Sequence, residues 1–251
     1  MMDSQFFQIK GLKKTFSDTN NDVLNGIDLS FNEGDFICVL GPSGCGKSTL
    51  LRCILGFETY EGEILLEGHP VRDRKRDCVM VFQDMNQLFP WKTVIGNITF
   101  ALKIAGIKEA AKRNQMAMDY LAKVNLSGYE KYFPNQLSGG MKQRVAIART
   151  LSLKPRIILM DEPFASLDAM TRNQLTNELQ NIVTAEKRTV LFITHNIQEA
   201  ILLGTRIIVM SKGGKIIMDV ANTLPKPVSP SDADYGAMWQ KLNDGVHGKI
   251  S

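Results

Sequence analysis

Residues Gly41 to Thr49 have the types and spacing of a loop that binds phosphate. They read Gly-Pro-Ser-Gly-Cys-Gly-Lys-Ser-Thr and match the pattern G-x-x-x-x-G-K-[ST]. The glycines allow backbone angles that a side chain forbids, so successive N–H groups can point inward at phosphate oxygens. The residues expected to contact a nucleotide are Gly41, Ser43, Gly44, Cys45, Gly46, Lys47, Ser48 and Thr49. Lys47 is expected to reach the β- and γ-phosphates, and the Ser48 hydroxyl to bind the Mg²⁺ that bridges them.

The sequence on either side of this loop predicts the elements that position it. The apolar run from Phe36 to Leu40 predicts a buried strand, and Lys47 to Leu55 predicts a helix. The pattern functions as a phosphate loop in this order of strand, loop and helix. A chance glycine-rich turn therefore explains the pattern poorly.

A second candidate site is a pair of adjacent carboxylates, Asp161 and Glu162, at the end of the apolar run from Ile157 to Met160. Beside a phosphate loop, Asp161 would join the Mg²⁺ shell, and Glu162, pointing the other way, would polarise a water molecule. Ordinary surface charge is the alternative. It does not explain why the apolar run stops at these two residues.

The order of predicted elements favours an α/β fold. Strands alternating with helices predict a mostly parallel sheet covered on both faces, and the strands before the phosphate loop predict an antiparallel β lobe. From residue 84 to about 150 the periodicity is helical, which indicates an inserted helical lobe. We expect one domain over residues 1–220. Residues 221–251 would form a short tail with one amphipathic helix, carrying Tyr235, Met238, Trp239 and Leu242 on its packed face.

Composition narrows the class of partner. The 251 residues are 44% hydrophobic and 22% charged, as in ordinary soluble globular proteins. The net charge of +4 is mild, and no long basic run predicts binding to nucleic acid. The four cysteines show no C-x-x-C pair, which favours reduced thiols in a cytosolic protein. No apolar run approaches the roughly 18 residues of a membrane span. If the protein acts at a membrane, it is therefore expected to act from the membrane surface.

The stretch from Leu137 to Arg144 is the most specific in the chain. It reads Leu-Ser-Gly-Gly-Met-Lys-Gln-Arg and resembles the LSGGQ-type signature of ATP-binding-cassette (ABC) proteins. At a helix start, Ser138, Gly139 and Gly140 offer a hydroxyl, open N–H groups and a helix dipole to an anion. The resemblance implies that this end faces the γ-phosphate of ATP on a second copy, so that two copies sandwich two nucleotides head to tail.

Further residues match the family in the expected order. The resemblance implies that Gln83 senses Mg²⁺ and the attacking water, that Asp168 lies in the loop crossing the dimer, and that His195 contacts the γ-phosphate. Phe16 matches the aromatic residue that stacks on adenine. From the residues alone, an ordinary half-buried strand phenylalanine explains Phe16 equally well. Asn196 departs from the family, where an aspartate usually follows the histidine. So does the pair Ala165-Ser166, where the nitrate, sulfonate and taurine importers within the family usually have Gly-Ala.

A finer resemblance, to the nitrate, sulfonate and taurine importers, is carried by Val81 to Gln83 followed by Leu88 to Trp91, then by Asp161 to Phe164 and by Thr171-Arg172. It implies an ATPase on the cytoplasmic face of the membrane that energises uptake of a small anionic solute. The implied partners are integral membrane permease subunits and, indirectly, a solute-binding protein. Phe89, Pro90 and Trp91 would contact the permease; Trp91 in the core of the helical lobe is the alternative. An exporter or lipid-handling cassette, or a soluble ABC ATPase acting on nucleic acid, are the rival functions.

Overall fold

The computed structural model describes residues 6–16, 21–73 and 77–248. The chain divides into two compact units. The first takes the chain up to Cys78 and again from Lys187 onward, and the second runs from Val79 to Glu186.

Strands and helices within the described residues follow the predicted order. In chain order the strands are β1 (Phe7–Phe16), β2 (Asn21–Phe31), β3 (Phe36–Leu40), β4 (Glu61–Leu66), β5 (His69–Pro70), β6 (Cys78–Val81), β7 (Ile157–Asp161), β8 (Thr189–Ile193), β9 (Arg206–Met210) and β10 (Ile216–Ala221). The α-helices are α1 (Lys47–Ile54), α2 (Val94–Ile104), α3 (Ala110–Lys123), α4 (Gly139–Ser152), α5 (Ala169–Glu186), α6 (Ile197–Leu203) and α7 (Tyr235–Val246). The predicted α/β fold is confirmed.

The first unit contains an antiparallel sheet with the strand order β2-β1-β4-β5. Alternation along β2 buries Ile27, Leu29 and Phe31, as expected for a strand with one face on a core. Leu24 is also buried, because the register with β1 shifts between Asn25 and Ile27. Phe31 pairs with Phe7 of β1, and their rings stack with centroids 4.6 Å apart. The register is therefore held by large apolar side chains on the inner face.

The same unit contains four consecutive neighbouring strands in the order β10-β9-β3-β8. Strand β3 runs parallel to both β8 and β9, and β10 is antiparallel to β9. All five residues of β3 are buried, as its continuous apolar run predicts for a strand covered on both faces. The carboxyl ends of β3 and β8 therefore lie at the same edge.

The second unit consists of β6 and β7 with helices α2 to α5. Helix α4 packs against α2, α3 and α5, and buries Val145, Ile147 and Leu151. It also buries Arg144, whose guanidinium donates to the Val124 carbonyl at 2.9 Å and pairs with the Glu178 carboxylate. A buried charge of this kind is tolerated because it is paired and hydrogen-bonded.

Helix α7 lies in the tail and packs against α6 and β9. Leu242 is fully buried, as its place on the predicted packed face requires. Trp239, expected on the same face, is 39% exposed.

None of the helices in the described part of the chain is long and apolar enough to cross a bilayer. All four cysteines are buried, and none of them forms a disulfide within the described residues.

Candidate nucleotide-binding site

The loop between β3 and α1 has the backbone geometry that its glycines predict. Gly44 and Gly46 have φ values of +78° and +98°, a region that side chains rarely adopt. A Cβ on Gly46 would also lie 2.6 Å from the Val23 carbonyl oxygen on β2. Glycine is required at position 46 for two independent reasons, its backbone angle and this close approach.

Lys47 is the buried cation of the loop, with only 6% of the residue exposed. Its ammonium group donates to the carbonyl oxygens of Gly41 at 2.8 Å and Pro42 at 3.0 Å. The side chain therefore folds back within its own loop. Ser43 and Gly44 are exposed, so this part of the loop is accessible to a ligand.

The start of α1 adds a positive helix end to the loop. Its N-cap residue is Gly46, which provides no side-chain cap, and the first turn contains no acidic residue. The first N–H groups of a helix have no partner within the helix, and together with the helix dipole they favour an anion. Ser48 and Thr49 are half-buried in this turn. The predicted phosphate-binding residues thus lie together in one loop and one helix turn.

His195 lies at the same sheet edge as this loop. The Thr194 N–H donates to the Val39 carbonyl at 3.2 Å, which continues the pairing of β8 with β3 up to the residue before His195. His195 itself is exposed. Asn196, the departure from the family pattern, is the N-cap of α6, and its side chain accepts from the N–H groups of Gln198 and Glu199. An amide oxygen serves this capping role as well as a carboxylate does.

Phe16 is half-buried at the end of β1, and the Lys14 ammonium lies 4.7 Å from its ring centroid. Lys14 is held by the Glu58 carboxylate at 3.2 Å and by the Thr59 hydroxyl at 3.3 Å. A cation over an aromatic face at this distance is attractive. Half-burial fits both interpretations of Phe16, as an adenine-stacking residue and as an ordinary strand residue.

In the second unit, β7 ends at Asp161, and Glu162 follows with a φ of +42°. Both acidic residues are half-buried. A positive φ is uncommon for a residue other than glycine, and such strained positions are concentrated at functional sites. The backbone at Glu162 is therefore unusual at the position where the sequence predicts the catalytic carboxylate.

The loop between Glu162 and α5 is held by Arg172, which the sequence analysis did not identify as a site residue. Its guanidinium donates to the carbonyls of Phe164 at 3.3 Å and Leu167 at 2.9 Å. Asp168, also in this loop, accepts from the Thr171 N–H at 3.0 Å. That bond lowers the pKa of the exposed Asp168 carboxyl. An arginine one turn into the helix after the loop is the only sequence signal for this arrangement.

The predicted signature stretch forms the start of α4. Ser138 is its N-cap, and the exposed Ser138 hydroxyl accepts from the Met141 N–H at 3.3 Å. Gly140 is buried, and a Cβ there would lie 2.7 Å from the Thr171 methyl carbon. Gly140 of the signature stretch therefore lies against Thr171 of α5, the residue whose N–H is bonded to Asp168. Gly139, which lies between Ser138 and Gly140 in the sequence, is half-buried.

Gln83 follows β6 and is exposed. Beyond it, Trp91 is 71% exposed, so the interpretation of Trp91 as a core residue is wrong. Phe89 is half-buried, with its ring centroid 5.6 Å from that of Trp91. Fully buried Asn97 shapes this stretch: its side chain accepts from the Phe89 N–H at 2.8 Å and donates to the Thr93 carbonyl at 3.0 Å. Sequence reasoning missed Asn97.

The donor set proposed for Mg²⁺ consists of oxygens from Ser48, Gln83 and Asp161, which is the ligand type that this ion prefers. No cluster of three or more His, Cys, Asp or Glu suited to a metal occurs among residues 6–16, 21–73 and 77–248.

Comparison with known proteins identifies what the chain is similar to. Residues 24–165 match the family described as ABC transporter. The aliphatic sulfonates import ATP-binding protein SsuB of Bacillus cereus is 42% identical over 93% of this chain and 93% of its own length. The nitrate import ATP-binding protein NrtD of Synechococcus elongatus is 44% identical over 76% of this chain and 70% of its own length.

A solved structure extends the similarity to three dimensions. It is a dimeric ATP-binding cassette in a post-hydrolysis state, bound to ADP and Pi. The two chains superpose with a TM-score of 0.76 at 32% identity, over 86% of this chain and 98% of the other.

Proposed function

The chain belongs to the ABC transporter ATP-binding proteins, whose ATP hydrolysis is coupled to transport, and we propose that it energises the import of a small anionic solute. The support for the solute class comes from the relatives, which are described as importing sulfonates and nitrate. The main structural support for the nucleotide site is the buried Lys47 ammonium, which the carbonyls of Gly41 and Pro42 hold within the loop.

Binding is proposed to start at the loop from Gly41 to Thr49. Its N–H groups, the positive end of α1 and the Lys47 ammonium would neutralise the β- and γ-phosphates of ATP. The ring of Phe16 would stack on adenine. Mg²⁺, held through Ser48, Gln83 and indirectly Asp161, would supply further charge neutralisation to the phosphates.

Hydrolysis needs a water aligned with the γ-phosphate and charge stabilisation as the bond breaks. Glu162 is the proposed general base that orients and polarises this water, and Gln83 is proposed to sense its position. His195 is proposed to contact the γ-phosphate. Phosphoryl transfer requires little covalent chemistry from the protein, so positioning these groups is the main catalytic task.

A second copy is proposed to complete each site. The exposed Ser138 hydroxyl and the N–H groups at Gly139 and Gly140 would bind the γ-phosphate of the ATP held by the partner copy, with Asp168 crossing the same interface. ATP that contacts both copies only in the closed dimer stabilises that dimer, and hydrolysis releases it. This cycle would drive the permease on the cytoplasmic face of the membrane.

The stretch Phe89-Pro90-Trp91, in which Phe89 is half-buried and Trp91 exposed, is proposed to bind the permease. Aromatic side chains are enriched at protein interfaces, and Asn97 holds the backbone of this stretch in one conformation. A pull-down from detergent-solubilised native membranes tests the assignment, with this chain as bait.

The bait is used as wild type and as the double variant Phe89→Ala, Trp91→Ala. We expect a polytopic membrane protein with the wild type and its loss with the double variant. The matched control is Ile217→Ala with Trp239→Ala, two exposed apolar side chains of the other unit, which should retain it. Recovery of only soluble or nucleic-acid partners would contradict the importer assignment.

A further inference from the structure

A buried hydrogen bond joins the residue before His195 to the helix after it. The Thr194 hydroxyl donates to the Glu199 Oε2 atom at 2.5 Å. Thr194 is 2% exposed and Glu199 6%. Buried side chains that are this well enclosed exchange partners rarely, so the bond fixes the distance between the end of β8 and the first turn of α6.

The same hydroxyl also holds the residue after His195. The Asn196 N–H donates to the Thr194 Oγ1 atom at 3.0 Å. A hydroxyl has one proton to donate and lone pairs to accept with. Because its proton is directed at Glu199, a lone pair is directed at Asn196. The Glu199 carboxyl therefore determines how the Thr194 hydroxyl is oriented.

His195 lies between these two held residues and is exposed, whereas Thr194 is buried and Asn196 half-buried. The backbone on both sides of the imidazole is thus fixed by one hydroxyl, and that hydroxyl is fixed by Glu199. The Thr194 N–H in turn donates to the Val39 carbonyl, two residues before Gly41. The same network therefore relates the direction of His195 to the strand that leads into the phosphate loop.

The other end of α6 is held as well, so that Glu199 sits on a fixed helix. The Asn222 amide donates to the carbonyls of Ile201 and Gly204, each at 2.8 Å. The Lys226 ammonium donates to the carbonyls of Ile201 at 2.9 Å and Leu202 at 2.6 Å. These bonds satisfy carbonyls at the end of the helix that lack partners within it.

We propose that Glu199 is a positioning residue for His195, acting through the Thr194 hydroxyl. This inference rests on the proposed contact of His195 with the γ-phosphate. In this proposal Glu199 touches neither substrate nor metal. Its contribution is to the geometry of the transition-state contact, so it should affect kcat and leave ATP affinity nearly unchanged.

The test compares ATP hydrolysis by the purified full-length chain carrying Thr194→Val, Thr194→Ser and Glu199→Gln. Valine keeps the shape of threonine without the hydroxyl, and we expect kcat to fall about tenfold or more, because small misplacements of catalytic groups have effects of this size. Serine keeps the hydroxyl and should retain kcat within about twofold. Glutamine keeps an acceptor oxygen, so the fall in kcat should be intermediate.

Thr189→Val is the matched control. Thr189 begins the same strand, is 2% exposed, and its hydroxyl accepts from the Gly34 N–H at 2.9 Å. Thr189 lies at the opposite end of β8 from His195. The Thr189→Val protein should therefore lose some folding stability and retain the wild-type kcat. If Thr194→Val fails to fold, the kcat of Glu199→Gln is compared with those of the wild type and Thr189→Val instead.

Combining each variant with His195→Ala separates positioning from general destabilisation. A positioning effect disappears in the His195→Ala background, since the group being positioned is absent. If Thr194→Val and Glu199→Gln keep the wild-type kcat while His195→Ala is impaired, only the role of Glu199 is overturned. An unimpaired His195→Ala would instead overturn the proposed role of His195. Equal losses with and without His195 would show a merely structural effect and also overturn the inference.

Discussion

The Lys47 ammonium nitrogen lies 2.8 Å from the carbonyl oxygen of Gly41, the first residue of the loop that leads into the helix of Lys47. The loop thus encloses its own cation, with the ammonium bound to the backbone that surrounds it. A phosphate entering this loop would meet a charge that is already placed.

Removal of that charge should weaken nucleotide binding more than it weakens the fold. We expect Lys47→Ala to lower ATP affinity about 10- to 100-fold, the range for losing a hydrogen bond to a charged group. Titration calorimetry with ATP measures this. Lys212→Ala, an exposed lysine of the same unit, is the control and should bind as the wild type does. Unchanged ATP binding by a folded Lys47→Ala protein would contradict the phosphate-loop assignment.

The carboxylate of Glu162 should be needed for turnover and dispensable for binding. We expect Glu162→Gln to bind ATP normally, lower kcat by about 100-fold or more, and accumulate as a closed dimer, because general-base catalysis contributes an effect of this size. Steady-state hydrolysis and size-exclusion chromatography with ATP test the two parts. Glu63→Gln, at an exposed carboxylate on β4, should change neither. Wild-type turnover by Glu162→Gln would refute the role assigned to Glu162.

Gly140 should tolerate a side chain only if Thr171 becomes smaller. Alanine would place its Cβ 2.7 Å from the Thr171 methyl carbon, so Gly140→Ala should lower the free energy of unfolding by about 1–3 kcal/mol, as overpacking usually does. Thr171→Ser keeps the hydroxyl and removes that methyl. Denaturant unfolding should therefore show that the double variant recovers most of the loss. Equal stability of Gly140→Ala and the wild type would show that this contact is not tight.

Cys53 and Cys78 should be unreactive in the folded protein. Burial raises the pKa of the Cys53 thiol to about 11 and that of Cys78 to about 12. Since the thiolate is the reactive form, at pH 8 about one Cys53 in a thousand would be ready to react. Peptide mapping after iodoacetamide should find both residues unmodified until guanidinium is added. Rapid labelling of Cys53 without denaturant would contradict its burial.

Much of this structure follows from local sequence. The apolar run from Phe36 to Leu40 is long enough and bare enough of polar residues to specify a strand buried on both faces, and the glycines after it specify the loop. Strand β4 ends at Leu66, because Glu67 and Gly68 adopt positive φ values of 51° and 76° and form a turn. A glycine signals such a turn, whereas a glutamate does not.

Residues that hold the site from a distance were not predictable in this way. Asn97, Arg172 and Glu199 each hydrogen-bond to a nearby loop residue, and no sequence pattern specifies those bonds. Their side chains are polar and would ordinarily be expected at the surface. The exposure of Trp91 likewise depends on how the helical unit packs, which is why the sequence left two interpretations open.

Uptake of labelled solutes tests the central claim most directly. Cells lacking this chain would be given the wild type or Glu162→Gln, and the entry of labelled nitrate, taurine and alkanesulfonates would be measured. The proposed function predicts that at least one of these nitrate or sulfonate solutes enters only with the wild type, and that Glu162→Gln fails although it is made in equal amounts. Equal uptake of all of them with and without the chain, or rescue by Glu162→Gln, would contradict an ATP-driven importer of small anions.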